Sequence, residues 1–231
     1  MNTFYDSLQA IHAIIAQAKA QVGRNDTVQL CAVSKAQSAE KMRLAYDAGQ
    51  IIFGENYVQE AIAKQSQLQD CAIEWHFIGP IQSNKTQLIA QHFAWVHSVD
   101  RIKIAERLAS ARASSLAPLN VCIQINSSEE ASKSGTDLVD MFALAKAITA
   151  LPNLKLRGIM AIPAPTPDKT LQRQQFKQVY HAYLQMKQAG YAIDTLSIGM
   201  SEDFEVAIEE GATIVRIGSA IFGARIYSHQ T

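Results

Sequence analysis

The sequence predicts a single (β/α)8 barrel of the TIM type with an extra N-terminal helix, and three observations carry that expectation. Eight short β-rich runs alternate with helical segments along residues 1–231. Alternation of this kind calls for a parallel sheet, and eight repeats favour closure over an open sheet. The runs are apolar throughout rather than alternating, as strands covered on both faces are. At 231 residues and 48% apolar, the chain can bury the core of one barrel.

Residues 1–21 carry Asp6 early and place Phe4, Leu8, Ile11, Ile14 and Ile15 at helical spacing. Without a basic start or a continuous apolar stretch they read as an amphipathic first helix rather than a signal peptide. Strands are expected at 28–33, 51–53, 74–78, 95–99, 121–125, 156–162, 195–199 and 214–217. Helical segments are expected at 38–48, 57–68, 101–114, 138–150, 171–189 and 202–210, with Gly49, Gly190 and Gly211 where helices end. The proline-rich stretch 162–167 reads as a stiff loop within the barrel, so residues 1–231 form one domain.

Lys plus Arg and Asp plus Glu number 21 each, with no block of like charge, which leaves no footprint for nucleic acid or an anionic membrane surface. No run of about 18 apolar residues is present to span a membrane. Cys31, Cys71 and Cys122 are odd in number, far apart and not interleaved with histidines at metal spacing. They read as reduced thiols of a cytoplasmic protein, with neither a disulfide framework nor a metal site. Glycine-rich dinucleotide loops, Walker loops, His-Glu-x-x-His and Gly-x-Ser-x-Gly are all missing.

Barrels of this type work at the C-terminal ends of their strands, so the polar residues that close each apolar run are the candidates. Lys35 closes the first run; in a partly desolvated mouth its ammonium loses hydration, and a neutral amine can attack an aldehyde. A solvated strand-end lysine is the competing reading. Gly199-Met200-Ser201 and Arg216-Ile217-Gly218-Ser219 follow the last two runs, where these barrels often bind phosphate on backbone N–H groups. Ser201 and Ser219 add hydroxyls and Gly218 allows close approach; a plain N-cap and a turn glycine are the alternatives. Arg216, inside an apolar run, needs a buried partner or a ligand. With Lys35 on an aldehyde carbon and the serines on a phosphate, it would face a pyridine nitrogen and weaken that ring as an electron sink; a salt bridge across the barrel competes. Asn56 is placed to donate to a ring oxygen. His76 reads equally as a ligand contact or a satisfied core histidine, and Asn126 and Met160 close the fifth and sixth runs. Lys85, Lys133 and Arg225 fit surface charges.

The motifs Ala32-Val33-Ser34-Lys35, 53–60 (FGENYVQE), 75–85 (WHFIGPIQSNK), Ser132-Lys133-Ser134-Gly135, 158–163 (GIMAIP), Gly199-Met200-Ser201 and 215–223 (VRIGSAIFG) together resemble the pyridoxal phosphate homeostasis proteins, the YggS/PROSC family. The resemblance runs over residues 28–225. It implies a barrel similar to the N-terminal domain of bacterial alanine racemase, with pyridoxal 5′-phosphate (PLP) as a Schiff base on Lys35. It further implies phosphate contacts from Ser201, Gly218 and Ser219, Arg216 near the pyridine nitrogen, and Lys133 at a second PLP contact in some members. Ala36 stands where many members have threonine, and Ser219 where threonine is usual.

The expected function is intracellular PLP homeostasis: a carrier and regulator that binds PLP without efficient catalysis, as a monomer, with PLP-dependent apoenzymes as partners. The alternative is a weak racemase or transaminase-like enzyme. Racemisation requires an acid or base on each face of the substrate; Lys35 serves one, and Tyr57 or His76 are the candidates for the other. A third reading, an interaction barrel for which PLP is incidental, stays open.

Overall fold

The computed structural model describes residues 3–126 and 135–223. A helix, α1 (Phe4–Gln21), precedes eight strands that form one closed parallel barrel in chain order: β1 (Gln29–Val33), β2 (Ile52–Glu55), β3 (Glu74–Phe77), β4 (Trp95–Val99), β5 (Leu119–Gln124), β6 (Leu154–Met160), β7 (Thr195–Ser197) and β8 (Ile214–Ile217). β8 closes on β1 with Gln29 opposite Ile214 and Cys31 opposite Arg216. Between them run α2 (Ala39–Asp47), α3 (Val58–Gln67), α4 (Thr86–His92), α5 (Ile102–Ala111), α6 (Leu138–Thr149), α7 (Lys169–Gln188) and α8 (Phe204–Glu209), and α9 (Ser219–Phe222) follows β8.

The first helix forms where its spacing requires. Thr3 and Asp6 make a reciprocal capping box, and Leu8, Ile11, Ile15 and Ala18 are its buried face. It packs on α8 and α9 outside the barrel, with the Phe4 and Phe222 rings 5.8 Å apart. Burial of each large aliphatic side chain there contributes about 1.5–3 kcal/mol. Gly49, Gly190 and Gly211 adopt positive φ just beyond α2, α7 and α8, as the C-cap reading anticipates.

Two differences from the sequence reading bear on the site. β6 ends at Met160 rather than 162, so Ile162 lies on the mouth, largely exposed. The helix expected over 202–210 shortens to α8, because Met200 to Asp203 close a separate turn in which Met200 N–H donates to Asp203 Oδ1 (2.6 Å) and Phe204 N–H to Met200 O (2.9 Å).

Side chains fall into two layers. Aliphatic residues fill the space between strands and helices, whereas Trp95, Cys122 and Met160 form a separate cluster. The barrel interior is unusually polar for a fold whose centre is ordinarily packed with branched aliphatics. His76, His97, Ser197 and Arg216 are all buried. His97 Nδ1 and Ser197 Oγ lie 2.8 Å apart. β4 and β7 are not neighbours in the barrel, so this bond crosses the interior.

Candidate functional site

The mouth is built from the loops that follow the strands. After β1, Ser34 N–H donates to Gly54 O (3.0 Å) and Gln37 N–H to Ser34 O (3.0 Å), which turns the chain and leaves Lys35 half-buried between them. Ala36, next in line, has φ 59°. A non-glycine residue there carries about 1–2 kcal/mol of strain, more for a β-branched one, so alanine suits this position better than a β-branched residue would.

A buried ionic cluster holds that turn. Lys64 Nζ donates to Ser34 O (2.7 Å), Glu55 Oε1 (2.8 Å) and Glu60 Oε1 (2.5 Å). Ser34 Oγ donates to the same Glu55 oxygen (2.6 Å), and Ala36 N–H donates to Glu60 Oε1 (2.7 Å). The residues on both sides of Lys35 are thereby pinned to one lysine and two carboxylates. Burial pushes the Glu55 carboxyl above its usual range, against the pull of Lys64.

Lys35 lines a cavity of about 140 Å³ together with Val33, Gln37, Met200, Ser201, Arg216, Gly218, Ser219 and Gly223. The strand-end candidates on β1, β7 and β8 thus meet in one place. A Cβ on Gly218 would stand 3.2 Å from Val33 O and 3.3 Å from Val33 Cβ, so a side chain here would crowd the cavity wall. The first N–H groups of α9, at Ser219 and Ala220, have no acceptor within so short a helix.

Arg216 is 4% exposed, and burial lowers the pKa of its guanidinium, which nonetheless keeps its charge. Its Nη1 donates to Ser197 O (2.6 Å) and Ser197 Oγ (2.7 Å), and its Nη2 to Ala161 O (3.1 Å). A guanidinium has five N–H donors. Nε–H and one Nη2 hydrogen therefore take no protein acceptor among the described residues, on a side chain that lines the cavity.

Three candidates lie elsewhere. Asn56 lines a neighbouring cavity of about 290 Å³ with Ile78, Pro80, Gln124, Ile162, Pro163 and Pro165. Its Oδ1 is buried without a hydrogen-bond partner among the described residues, and its backbone is pressed against Gly79, where a Cβ would sit 2.5 Å from Asn56 O. His76 is fully buried inside the barrel, bonded to His97 and Glu74 and stacked on Trp95, and it does not line the cavity. Met160 closes β6 as expected but packs with Trp95 and Cys122 and does not line the cavity that Lys35 lines. Asn126 donates its N–H to Thr136 O (2.9 Å). Lys133 and Arg225 lie outside the described residues. Cys31 and Cys122 are pushed by burial up to about 12, so neither is a nucleophile.

Sequence reasoning missed Lys64, His97 and Ser197. For His97 and Ser197 the signal was the one that exposed Arg216: a polar residue inside an apolar run has to be satisfied somewhere. Lys64, on the polar helix α3, carried no such signal.

The chain matches the family model described as alanine racemase, N-terminal domain, over residues 7–226. A curated protein of Pseudomonas aeruginosa named pyridoxal phosphate homeostasis protein is 53% identical over 228 residues, covering 98% of each chain. The solved structure of PipY from Synechococcus elongatus PCC7942 with PLP bound is 36% identical, with TM-score 0.80 over 90% of this chain and 100% of that one. Alanine racemase of Clostridium difficile, at 14% identity and TM-score 0.73, shares the fold over 94% of this chain and 61% of its own. The chain therefore belongs to the alanine racemase N-terminal domain family, among the proteins that carry the name pyridoxal phosphate homeostasis protein.

Proposed function

We propose that this chain binds PLP through a Schiff base on Lys35 and serves intracellular PLP homeostasis without efficient catalysis of its own. The observation that carries the reading is one cavity lined at once by an amine, Lys35, and by a buried guanidinium with unspent donors, Arg216. That donor set fits a phosphorylated aromatic aldehyde. Lys35 Nζ would bond its aldehyde carbon; Ser201, Ser219 and the backbone at Gly218 would hold its phosphate; Arg216 would donate to its ring nitrogen. When bound, PLP supplies a reactive aldehyde and an electron-accepting ring. A cation facing the ring nitrogen disfavours protonation there and so weakens the ring as an electron sink, which suits storage better than turnover.

Asn56, whose amide oxygen has no partner among the described residues, stands on the neighbouring side of the mouth, where its amide can meet the ring hydroxyl. Against the alternative of a weak racemase or transaminase, the two candidates for an opposing base are poorly placed. His76 has both ring nitrogens engaged inside the barrel, and Tyr57 does not line the cavity. The reading extends to a cytoplasmic monomer that hands PLP to apoenzymes, and it keeps Lys133 as a second contact. No helix among the described residues is long and apolar enough to cross a membrane.

The test is the near-ultraviolet and visible absorbance of the purified protein with added PLP, for wild type and Lys35→Ala, before and after borohydride. The wild type should show a Schiff-base band that borohydride fixes to the protein, and Lys35→Ala should not. Absence of any trapped adduct in the wild type would remove PLP as the ligand. Ordinary enzymatic turnover of an amino acid by the purified protein would instead restore the enzyme reading.

A further inference from the structure

The polar interior of the barrel connects its two ends. Glu74, the first residue of β3, is about two-fifths exposed in its side chain at the N-terminal base, and its Oε1 lies 2.8 Å from His76 Nε2. His76 Nδ1 lies 2.9 Å from His97 Nε2, His97 Nδ1 lies 2.8 Å from Ser197 Oγ, and Ser197 Oγ accepts from Arg216 Nη1 at 2.7 Å. Four contacts thus run unbroken from the base to the cavity that Arg216 lines at the mouth.

The ends of this chain assign every proton within it. Arginine can only donate, and an ionised carboxylate can only accept. Glu74 must therefore receive the Nε2 hydrogen of His76, which leaves His76 Nδ1 as an acceptor. His97 then gives its Nε2 hydrogen to His76 and presents Nδ1 to Ser197. The Ser197 hydroxyl gives its single hydrogen to His97 and turns its lone pairs to Arg216. Each imidazole is neutral in this scheme, in keeping with the burial that lowers both their pKa values. All the donors point the same way, from the cation at the mouth towards the carboxylate at the base.

We propose that Glu74, His76, His97 and Ser197 are positioning residues that act together as one directional hydrogen-bond relay and set how Arg216 meets the ring nitrogen of the ligand. Docking of Nη1 on Ser197 is what turns the remaining Arg216 donors to the cavity. The ligand half of this inference rests on the PLP reading above; the relay itself does not.

The test takes two readouts. In the ligand-free protein, imidazole nitrogen NMR should find His76 and His97 both neutral and both carrying the hydrogen on Nε2. Glu74→Gln keeps an acceptor at the base but can also donate, so the direction is no longer imposed, and the two imidazoles should show mixed tautomers. With PLP carrying the NMR-active nitrogen isotope in its ring, the ring-nitrogen signal should shift towards that of a free pyridine in Glu74→Gln and further in Ser197→Ala, whose PLP affinity should fall about tenfold for one weakened charge-assisted bond. Ser197→Thr, which keeps the hydroxyl, should restore both. An unchanged ring signal in Glu74→Gln, or the opposite imidazole tautomers in the wild type, overturns the relay. Loss of borohydride trapping in the wild type overturns the PLP reading and leaves the tautomer result standing by itself.

Discussion

Lys64 is the residue on which the turn around Lys35 depends. Its ammonium is 6% exposed and satisfies a backbone carbonyl and two glutamates, one of them fully buried. Replacing a single partner of a buried ion pair strands the other, at about 3–5 kcal/mol. Lys64→Met should lower stability by that amount, read as a drop in the urea midpoint, and should drive Glu55, already displaced upward by burial, to take up a proton. Legibility at this scale followed one rule with one blind spot. A polar residue inside an apolar run marked Arg216, and a lysine at a strand end marked Lys35; both reached the cavity. The same rule put His76 beside them, yet His76 is the third residue of β3 and faces inward below the mouth. Polarity in a run shows that a partner exists without saying whether it is a ligand or another side chain.

The elements were legible wherever a hydrophobic period could run. α1, α7 and all eight strands appear where the residues put them to within a few positions at each end, because each buries apolar residues against its neighbours. The short pieces did not follow from local pattern. α4, seven residues long, begins from a 3-10 turn at Ser83–Lys85, and α8 loses its first turn to the Asp203 side chain; both are settled by hydrogen bonds that periodicity cannot see. α1 supports the site at a distance, since it backs α8, which follows the turn bearing Ser201, and α9, which begins at Ser219. Ile11 is 3% exposed on that face. Ile11→Ala should cost about 2–5 kcal/mol, measured by thermal or urea unfolding, and saturating PLP should recover part of the loss by binding only the folded barrel.

For the molecule as a whole, the polar interior gives stability a pH dependence of definite sign. Burial holds His76 and His97 below the ordinary value of 6.5, His97 well below. As pH falls through that value the unfolded chain takes up protons that the fold refuses, so stability is complete above about 6.5 and declines beneath it, by up to about 1.4 kcal/mol per pH unit for each imidazole. Glu55 and Asp203, both raised by burial, act in the opposite sense, in the lower carboxylate range of pH. Urea midpoints measured between about pH 7 and about pH 5 should fall, and His97→Gln should show roughly half the slope.

The interior thread has a second effect, on closure of the barrel. Side chains along a strand alternate between lumen and helix layer, so a slip of one position turns every inward group outward. Were β4 to pair one residue out of step, His97 would leave the lumen and strand both its partners, Nδ1 of His76 and the hydroxyl of Ser197. Each buried group left unpaired costs about 1–3 kcal/mol, a penalty that an aliphatic filling, indifferent to which methyl meets which, would not impose. The four strands that carry the thread can therefore be joined in only one alignment, and β4 and β7, which share no backbone ladder, verify each other's alignment directly across the lumen.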